Sequence, residues 1–353
     1  MRPDPRLFLL LCLAACGSAT DQGKDASETP NPAASGTTAE PFLAKGSVLF
    51  YNVENLFDTD DDKATHDEDF TPGGEMRWNE ERYQQKLVQL ARAISMSGGT
   101  PLLIGLAEVE NKRVVSDLAN TGKLADAHYE VVHRDSPDER GIDVALLVRP
   151  EAGKVGEVRM LHVDLERGDR TRDILQVTIR PRNGPELNVF VNHWPSRGEG
   201  VQGSAPKRMS AARTLRKAVQ TLLDADANAQ IIIMGDLNDT PSDASVQQGL
   251  KASLRPEETN ADLVDLVAFD QGEYPGTVAR DGEWSYFDQV IVSRGFLRAE
   301  GGTARVAANS LKADPLIFHH PRYGDQPNRT FSGKGKYHPN GFSDHLPVIL
   351  HAR

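Results

Sequence analysis

Thiols are nearly absent from this chain: of 353 residues only Cys12 and Cys16 are cysteine, and none follows them. That excludes an internal disulfide, a cysteine nucleophile and a cysteine-ligated zinc site from everything downstream. A basic excess is missing too, because 40 Lys+Arg face 51 Asp+Glu for a net charge of −11. Proteins that grip phosphate polymers draw most of their affinity from neutralising phosphates, so this balance taken alone counts against a nucleic-acid substrate. Membrane-spanning runs are also lacking, since the apolar stretch Leu7 to Ala15 stops at nine residues, about half of what a bilayer requires. What is plentiful is ordinary: 39% hydrophobic residues suffice for a buried core, which excludes whole-chain disorder and a fibrous repeat.

Arg2 and Arg6 precede the apolar run, and Leu13-Ala14-Ala15-Cys16 closes it with small residues before a cysteine. This resembles a bacterial lipoprotein signal. The resemblance implies cleavage after residue 15, lipidation of Cys16, export, and an anchor that holds the protein to a membrane through lipid alone. Gly17, where an Asp would mark inner-membrane retention, points to the outer membrane or cell surface. Removing residues 1–15 takes away two Arg and one Asp, leaving 38 against 50 and a balance of −12. Residues 16–45, rich in Ser, Thr, Ala, Gly, Pro and acids without hydrophobic periodicity, read as a lipidated, disordered tether. The globular domain is expected over 46–353.

Within that domain, strands alternate with helices. Val48 to Val53 is an apolar run that suits a buried strand. Asn79 is placed to cap a helix whose Tyr83, Leu87, Leu90 and Ile94 share one face and which stops at Gly98-Gly99. Leu102–Val109, Tyr129–His133 and Ile142–Val148 read as strands, Asn111–Asn120 as a short helix, and three strand-like runs lie between Val155 and Trp194. Ser204–Leu223 is the longest helical pattern, and Ile231 to Met234, Trp284 to Ser293 and Leu346 to Leu350 are later strands.

Polar groups cluster where strands end. Tyr51-Asn52-Val53-Glu54-Asn55, Ala107-Glu108-Val109-Glu110, Asn192-His193-Trp194, Gly235-Asp236-Leu237-Asn238-Asp239 and Ser343-Asp344-His345-Leu346-Pro347-Val348 each put amides, carboxylates or imidazoles beside an aliphatic run. Open sheets present ligand groups at such ends. Singly, any of these could be a turn or a helix cap; together in one domain they outnumber what capping requires.

This ordered set resembles the endonuclease/exonuclease/phosphatase superfamily, which includes deoxyribonuclease I-like nucleases, sphingomyelinases and inositol-polyphosphate phosphatases, over residues of about 47 to 350. The resemblance implies an α/β four-layered sandwich of two mainly antiparallel β-sheets flanked by helices, and hydrolysis of a phosphoester with a divalent cation, Mg²⁺ foremost, with Mn²⁺ or Ca²⁺ as substitutes. By position, Asn52, Glu108 and Asp344 correspond to the metal-site groups, with Glu110 as a competitor suited to capping. Asp236 corresponds to the acid that activates water, Asn238 to the amide that holds the nucleophile and phosphate, and His193 and His345 to imidazoles bracketing the phosphate. Asp288 corresponds to the acid that fixes the His345 tautomer.

Arg140, Arg322 and Arg329 are candidate phosphate contacts. The basic residues between Arg197 and Lys217, and between His319 and His338, are expected to form a positive rim around the site. The acids between Asp58 and Asp69 read as a solvated loop rather than a Ca²⁺ site. His66, His128, His133 and His162 read as surface or core residues. Three functions fit: an exported nuclease cleaving DNA or RNA, a phosphodiesterase or phosphatase on a small or lipid substrate, and a non-catalytic binding lipoprotein. Nucleic acid is the expected partner, and no protein partner is inferable.

Overall fold

The computed structural model describes residues 40–165, 168–255, 257–258, 260–267, 274–301, 304–308, 314–333 and 335–352. The signal segment and nearly all of the tether therefore lie outside the described residues. Residues 39–353 form one compact unit. It begins ahead of Gly46, because a short turn at Phe42–Lys45 buries Phe42 and Leu43 and offers their amides to the Glu300 carboxylate.

The elements run in the order β1 (Val48–Leu56), α1 (Glu80–Gly98), β2 (Leu103–Val109), α2 (Lys112–Ala119), β3 (Glu130–His133), β4 (Asp143–Val148), β5 (Lys154–Leu161), β6 (Ile174–Arg180), β7 (Leu187–His193), α3 (Val201–Ala225) and β8 (Gln230–Asp236). Then come β9 (Ala252–Ser253), β10 (Leu263–Asp265), β11 (Val278–Arg280), β12 (Glu283–Ser285), β13 (Asp288–Ser293), α4 (Arg294–Ala299), β14 (Ala304–Ala308), β15 (Ile317–His320), β16 (Gly324–Pro327) and β17 (Val348–Ala352). A six-stranded sheet has the order β14-β17-β1-β2-β4-β3, and a seven-stranded sheet the order β5-β6-β7-β8-β13-β10-β9.

The period-two alternation of the strands sorts the core into layers. Val48 and Phe50 of β1 meet Val189, Val191, Ile232 and Met234 of the other sheet in one cluster. Leu49, Tyr51 and Val53 face Tyr83, Leu87, Leu90 and Ile94 of α1 and Val114 and Leu118 of α2. On the far side Ile231 and Ile233 pack on Ala212, Leu215 and Val219 of α3. The result is helix, sheet, sheet, helix: the four-layered sandwich expected. The sheets approach so closely at Gly105 that a Cβ there would lie 2.5 Å from Met234 Sδ, nearer than any side chain tolerates.

Helix ends follow local chemistry. Asn79 accepts the Arg82 amide and Asn111 those of Arg113 and Val114, which caps α1 and α2. The acidic loop departs from expectation. Asp58 and Asp67 are buried, because their carboxylates accept the amides of Asp60 and Asp62 and the Asn111 side chain, work that water was expected to do.

Candidate active site

Topology explains why the polar strand ends meet. β1 and β2 are parallel, as are β7 and β8, so Asn52, Glu108, His193 and Asp236 all lie at C-terminal ends. β13 runs antiparallel to β8 and β17 antiparallel to β1, which brings the beginnings of those strands, Asp288 and the approach to His345, to the same edge. His193, Asp236 and Asp288 are cross-strand partners in one row. The row depends on Gly235, where a Cβ would sit 2.4 Å from the Asn192 carbonyl oxygen.

Two bulges turn the other sheet's side chains inward. Register breaks fall between Asn52 and Leu56 and between Ala107 and Val109, with Glu54, Asn55 and Glu108 at φ of 54°, 57° and 63°. A left-handed non-glycine residue costs about 1 kcal/mol, and a bulge redirects side chains across the sheet. Here the strain aims Glu108 at the site. Its Oε2 accepts the Asn55 amide at 3.0 Å and its Oε1 lies 3.3 Å from Asn52 Nδ2. Asn52 Nδ2 also donates to Asp236 Oδ2 at 3.1 Å, while its oxygen accepts the Glu54 amide. Asn52 thus ties two acids together through its NH₂. Glu110 sits apart from this group, accepting the Asp58 amide.

Asp236 is the hub, 2% exposed with His193 Nε2 at 3.6 Å and His345 Nε2 at 3.7 Å. Its Oδ1 accepts the amide of Asn238, whose left-handed backbone turns the side chain toward the Trp194 carbonyl. His345 Nδ1 is 2.7 Å from Asp288 Oδ2, both buried. Burial pushes the Asp236 carboxyl up to about 7, against the pull of His345. For His345, burial works against the charged form but Asp288 and Asp236 outweigh it, so its pKa stands well above the ordinary value. His193 goes the other way: burial first, then the Arg172, Arg140 and His345 charges, hold it well below. The two imidazoles, on either side of one acid, are thus pushed toward opposite charge states.

The expected contacts are spread more widely. Arg329 Nη2 pairs with Asp344 Oδ2 at 3.1 Å. Arg140 is half exposed, beside Asp138. Arg322 lies at the turn of the β15–β16 hairpin with its guanidinium over the Tyr323 ring. The positive rim expected between Arg197 and Lys217 is largely neutralised. Arg197 pairs with Asp239 and Asp243, Arg208 is buried against Asp239, Lys207 pairs with Asp169 and Glu199, and Arg216 pairs with Asp262. Arg197 and Arg208 instead fasten the loops behind Asn238 and Ser196.

Sequence reasoning missed two groups. Arg172, 6% exposed, donates to Asp138 Oδ2 and the Trp194 carbonyl, both at 2.9 Å. Because β6 is antiparallel to β7, an arginine just before β6 must lie near His193, a signal that was available. Glu54, buried and raised to about 8 by burial and by Asp344, accepts the Thr330 and Phe331 amides, while buried Lys86 donates to Thr330 and Phe342. They strap the segment before Asp344 to β1 and α1. His133 is buried beside Asp143 at 3.2 Å.

Acids and imidazoles thus form a row at paired sheet ends, and the family model of endonucleases, exonucleases and phosphatases matches residues 47–353. The chain belongs to the endonuclease/exonuclease/phosphatase family. No curated protein sequence matches significantly. Among solved structures, truncated TDP2 from Caenorhabditis elegans is 15% identical, with a TM-score of 0.52 over 86% of this chain and 96% of its own. A family protein from Bacteroides thetaiotaomicron is 16% identical, with 0.53 over 86% and 96%. A mannosyl-6-phosphatase from the same species is 16% identical, with 0.53 over 87% and 99%. At such identity these likenesses carry the fold.

As an endonuclease/exonuclease/phosphatase-family protein, the chain is a phosphoester hydrolase of a divalent-metal-dependent class. The residues present fit that cation. The edge is rich in carboxylate oxygen, with Glu108, Asp236 and Asp288 gathered beside the two imidazoles. Asp288 Oδ1 and His193 Nδ1 are buried without hydrogen-bond partners among the described residues. Oxygen-rich sets suit hard ions such as Mg²⁺.

Proposed function

We propose that the protein is an exported nuclease that cleaves phosphodiester bonds of DNA or RNA by in-line attack of water. The observation that carries this reading is the charge count around Asp236. Glu108, Asp236, Asp288 and Asp344 bring four carboxylates, whereas His345 and Arg329 bring two cations, Arg172 and half-exposed Arg140 share Asp138, and Lys86 is faced by Glu54. A divalent ion brings the site to about neutrality, which suits the single charge of a diester better than the double charge of a monoester.

On this reading Glu108 and Asp344 would hold Mg²⁺, or Mn²⁺ or Ca²⁺ in its stead, while Asn52, whose oxygen accepts the Glu54 amide, would orient Glu108 rather than ligate as the resemblance implied. A bound cation supplies charge neutralisation at the phosphoryl oxygens. The remaining steps belong to the chain. Asp236 accepts the proton of the attacking water, for which a pKa of about 7 is well matched. As the new O–P bond forms and the ester P–O bond breaks, charged His345 gives its proton to the departing oxygen. Asp288 holds that ring by Nδ1, and neutral His193 lines the opposite side with Nε2 3.8 Å from Glu108.

The test is hydrolysis by residues 39–353 of plasmid, single-stranded DNA, RNA, bis-p-nitrophenyl phosphate, p-nitrophenyl phosphate and sphingomyelin, with Mg²⁺ and with chelator. Diester and nucleic-acid cleavage that chelator removes is expected. A faster monoester, or sphingomyelin as the single substrate, overturns the nuclease reading; no hydrolysis at all leaves a binding lipoprotein.

A further inference from the structure

The hairpin of β15 and β16 carries a row of π groups whose ends, Phe318 and Arg322, are exposed while His320 and Tyr323 between them are half-buried. Strand alternation puts Phe318 and His320 on one face, and Phe318 is 50% exposed, the one aromatic among the large exposed hydrophobic side chains of the described residues. The Phe318 and His320 rings stand edge to face at 6.4 Å, His320 stacks on Tyr323 at 4.7 Å, and the Arg322 guanidinium covers Tyr323 at 5.1 Å. The row is held in place. His320 Nδ1 accepts the amides of Arg322 and Tyr323 at 3.1 and 3.2 Å, so the turn itself fixes the ring. On the other face Asp325 is engaged by His319 at 2.8 Å.

The hairpin is also coupled to the catalytic edge. β16 lies against β11, and Val278 of β11 is bridged to His345. The β11–β12 turn meets the hairpin tip, since a Cβ at Gly282 would lie 3.2 Å from the Tyr323 carbonyl oxygen. Only Val278–Arg280 is extended, and Asp281 and Gly282 then turn at φ of 53° and 90°, so one short strand separates the hairpin tip from the residue bridged to His345.

We propose that this hairpin is a base-stacking subsite for a single-stranded nucleic acid, holding an unpaired base to one side of the scissile phosphate while Arg322 meets the backbone. The inference rests on the nuclease reading. Aromatic faces bind bases of any identity, and only unpaired bases offer their own faces in return. One exposed Phe among His319, His320 and Arg322 is too little apolar surface for bilayer insertion, which favours nucleic acid over a lipid surface.

The experiment measures kcat/KM of the protein and its Phe318→Ala, Tyr323→Ala and double variants on fluorescent single-stranded DNA and RNA oligonucleotides. A blunt duplex is assayed alongside, and bis-p-nitrophenyl phosphate, too small to span the distance, is the reference. Loss of a stacked base is expected to lower the oligonucleotide-to-reference ratio about tenfold, through KM, with the duplex affected less and Phe318→Trp restoring the ratio. An unchanged ratio in the double variant, with single strands still cleaved, overturns the subsite and leaves the nuclease reading standing. The same unchanged ratio with lost sedimentation on phosphatidylglycerol vesicles assigns the hairpin to lipid instead. If the wild-type protein hydrolyses the reference but neither oligonucleotide, the nuclease reading itself has failed.

Discussion

Replacing Asp288 by Asn tests the centre of the site with the least change of shape. The carboxylate oxygen lies 2.7 Å from His345 Nδ1, and both groups are buried. At that separation and an effective dielectric of about 20, the pair interacts by about 6 kcal/mol, an upper bound; opposite charges this close typically move a pKa by about one to three pH units. Asn keeps an oxygen that can accept the Nδ1 proton but removes the charge. Burial, which already disfavours the charged ring, then has less to oppose it. In the variant His345 is expected to lose its proton at lower pH than in wild type. The alkaline limb of kcat on bis-p-nitrophenyl phosphate moves down with it, and at pH values where the variant ring is neutral kcat falls about a hundredfold to a thousandfold.

Stability gives an independent reading with a defined sign. A histidine whose folded pKa is raised contributes stability that is fully present below its unfolded pKa and is lost as pH rises through the folded value. Wild type should therefore exceed Asp288→Asn in stability by more at pH 6 than at high pH. The assays are a pH–rate profile, urea unfolding at both extremes, and proton NMR of the His345 ring. If the alkaline limb and the ring titration stay where wild type has them while the variant remains folded, the Asp288–His345 pair does not set the charge of the site.

Three other outcomes are expected. Asp236→Asn removes the buried base, so turnover drops by at least about a thousandfold, while the thermal midpoint holds or rises because a desolvated carboxylate is gone. Glu110→Gln should flatten the pH dependence of stability. Burial raises that carboxyl from 4.5 to about 8, so the folded state binds the extra proton and wild type weakens as pH climbs through that window, by about 1–3 kcal/mol after allowing for partial exposure; an equally steep fall in the variant contradicts this. Cys16→Ser is expected to move the protein from the membrane fraction to the soluble exported fraction, and persistence in the membrane fraction refutes a lipid anchor at that residue.

Strand ends were legible because the chain switches there abruptly from aliphatic to polar, as in Ile231 to Met234 followed by Gly235-Asp236. Amphipathic helices were legible for the same periodic reason, and α3 only began earlier than its apolar face suggested. What escaped was long-range pairing. Arg197 finds Asp239 and Asp243 more than 40 residues away, and Arg216 finds Asp262 across 46, so a run that counts as basic in sequence is neutral in space. Lys86 sits on the core face of α1 and is buried because Thr330 and Phe342, from the segment preceding Asp344, come to it. The left-handed backbone at Glu108 has no marker in residue type, since glycine is the usual sign of such a turn and a carboxylate stands there instead.

The acidic balance of the chain and the chemistry of its site are one fact seen at two scales. A positive surface would attract phosphate everywhere, and tight ground-state binding alone lowers KM without raising kcat. Here the arginines that could have made such a surface are matched by Asp138, Asp239, Asp243, Asp262 and Asp344. In the proposed mechanism His345 is the cation beside Asp236, and Asp288 and Asp236 facing the ring are what raise its pKa against burial. His193, lowered first by the same burial and then by the charges of Arg172 and Arg140, is held well below its ordinary value. The two imidazoles thus differ by their neighbours rather than by their own burial, and exchanging those neighbours' charges is the change that would exchange their roles.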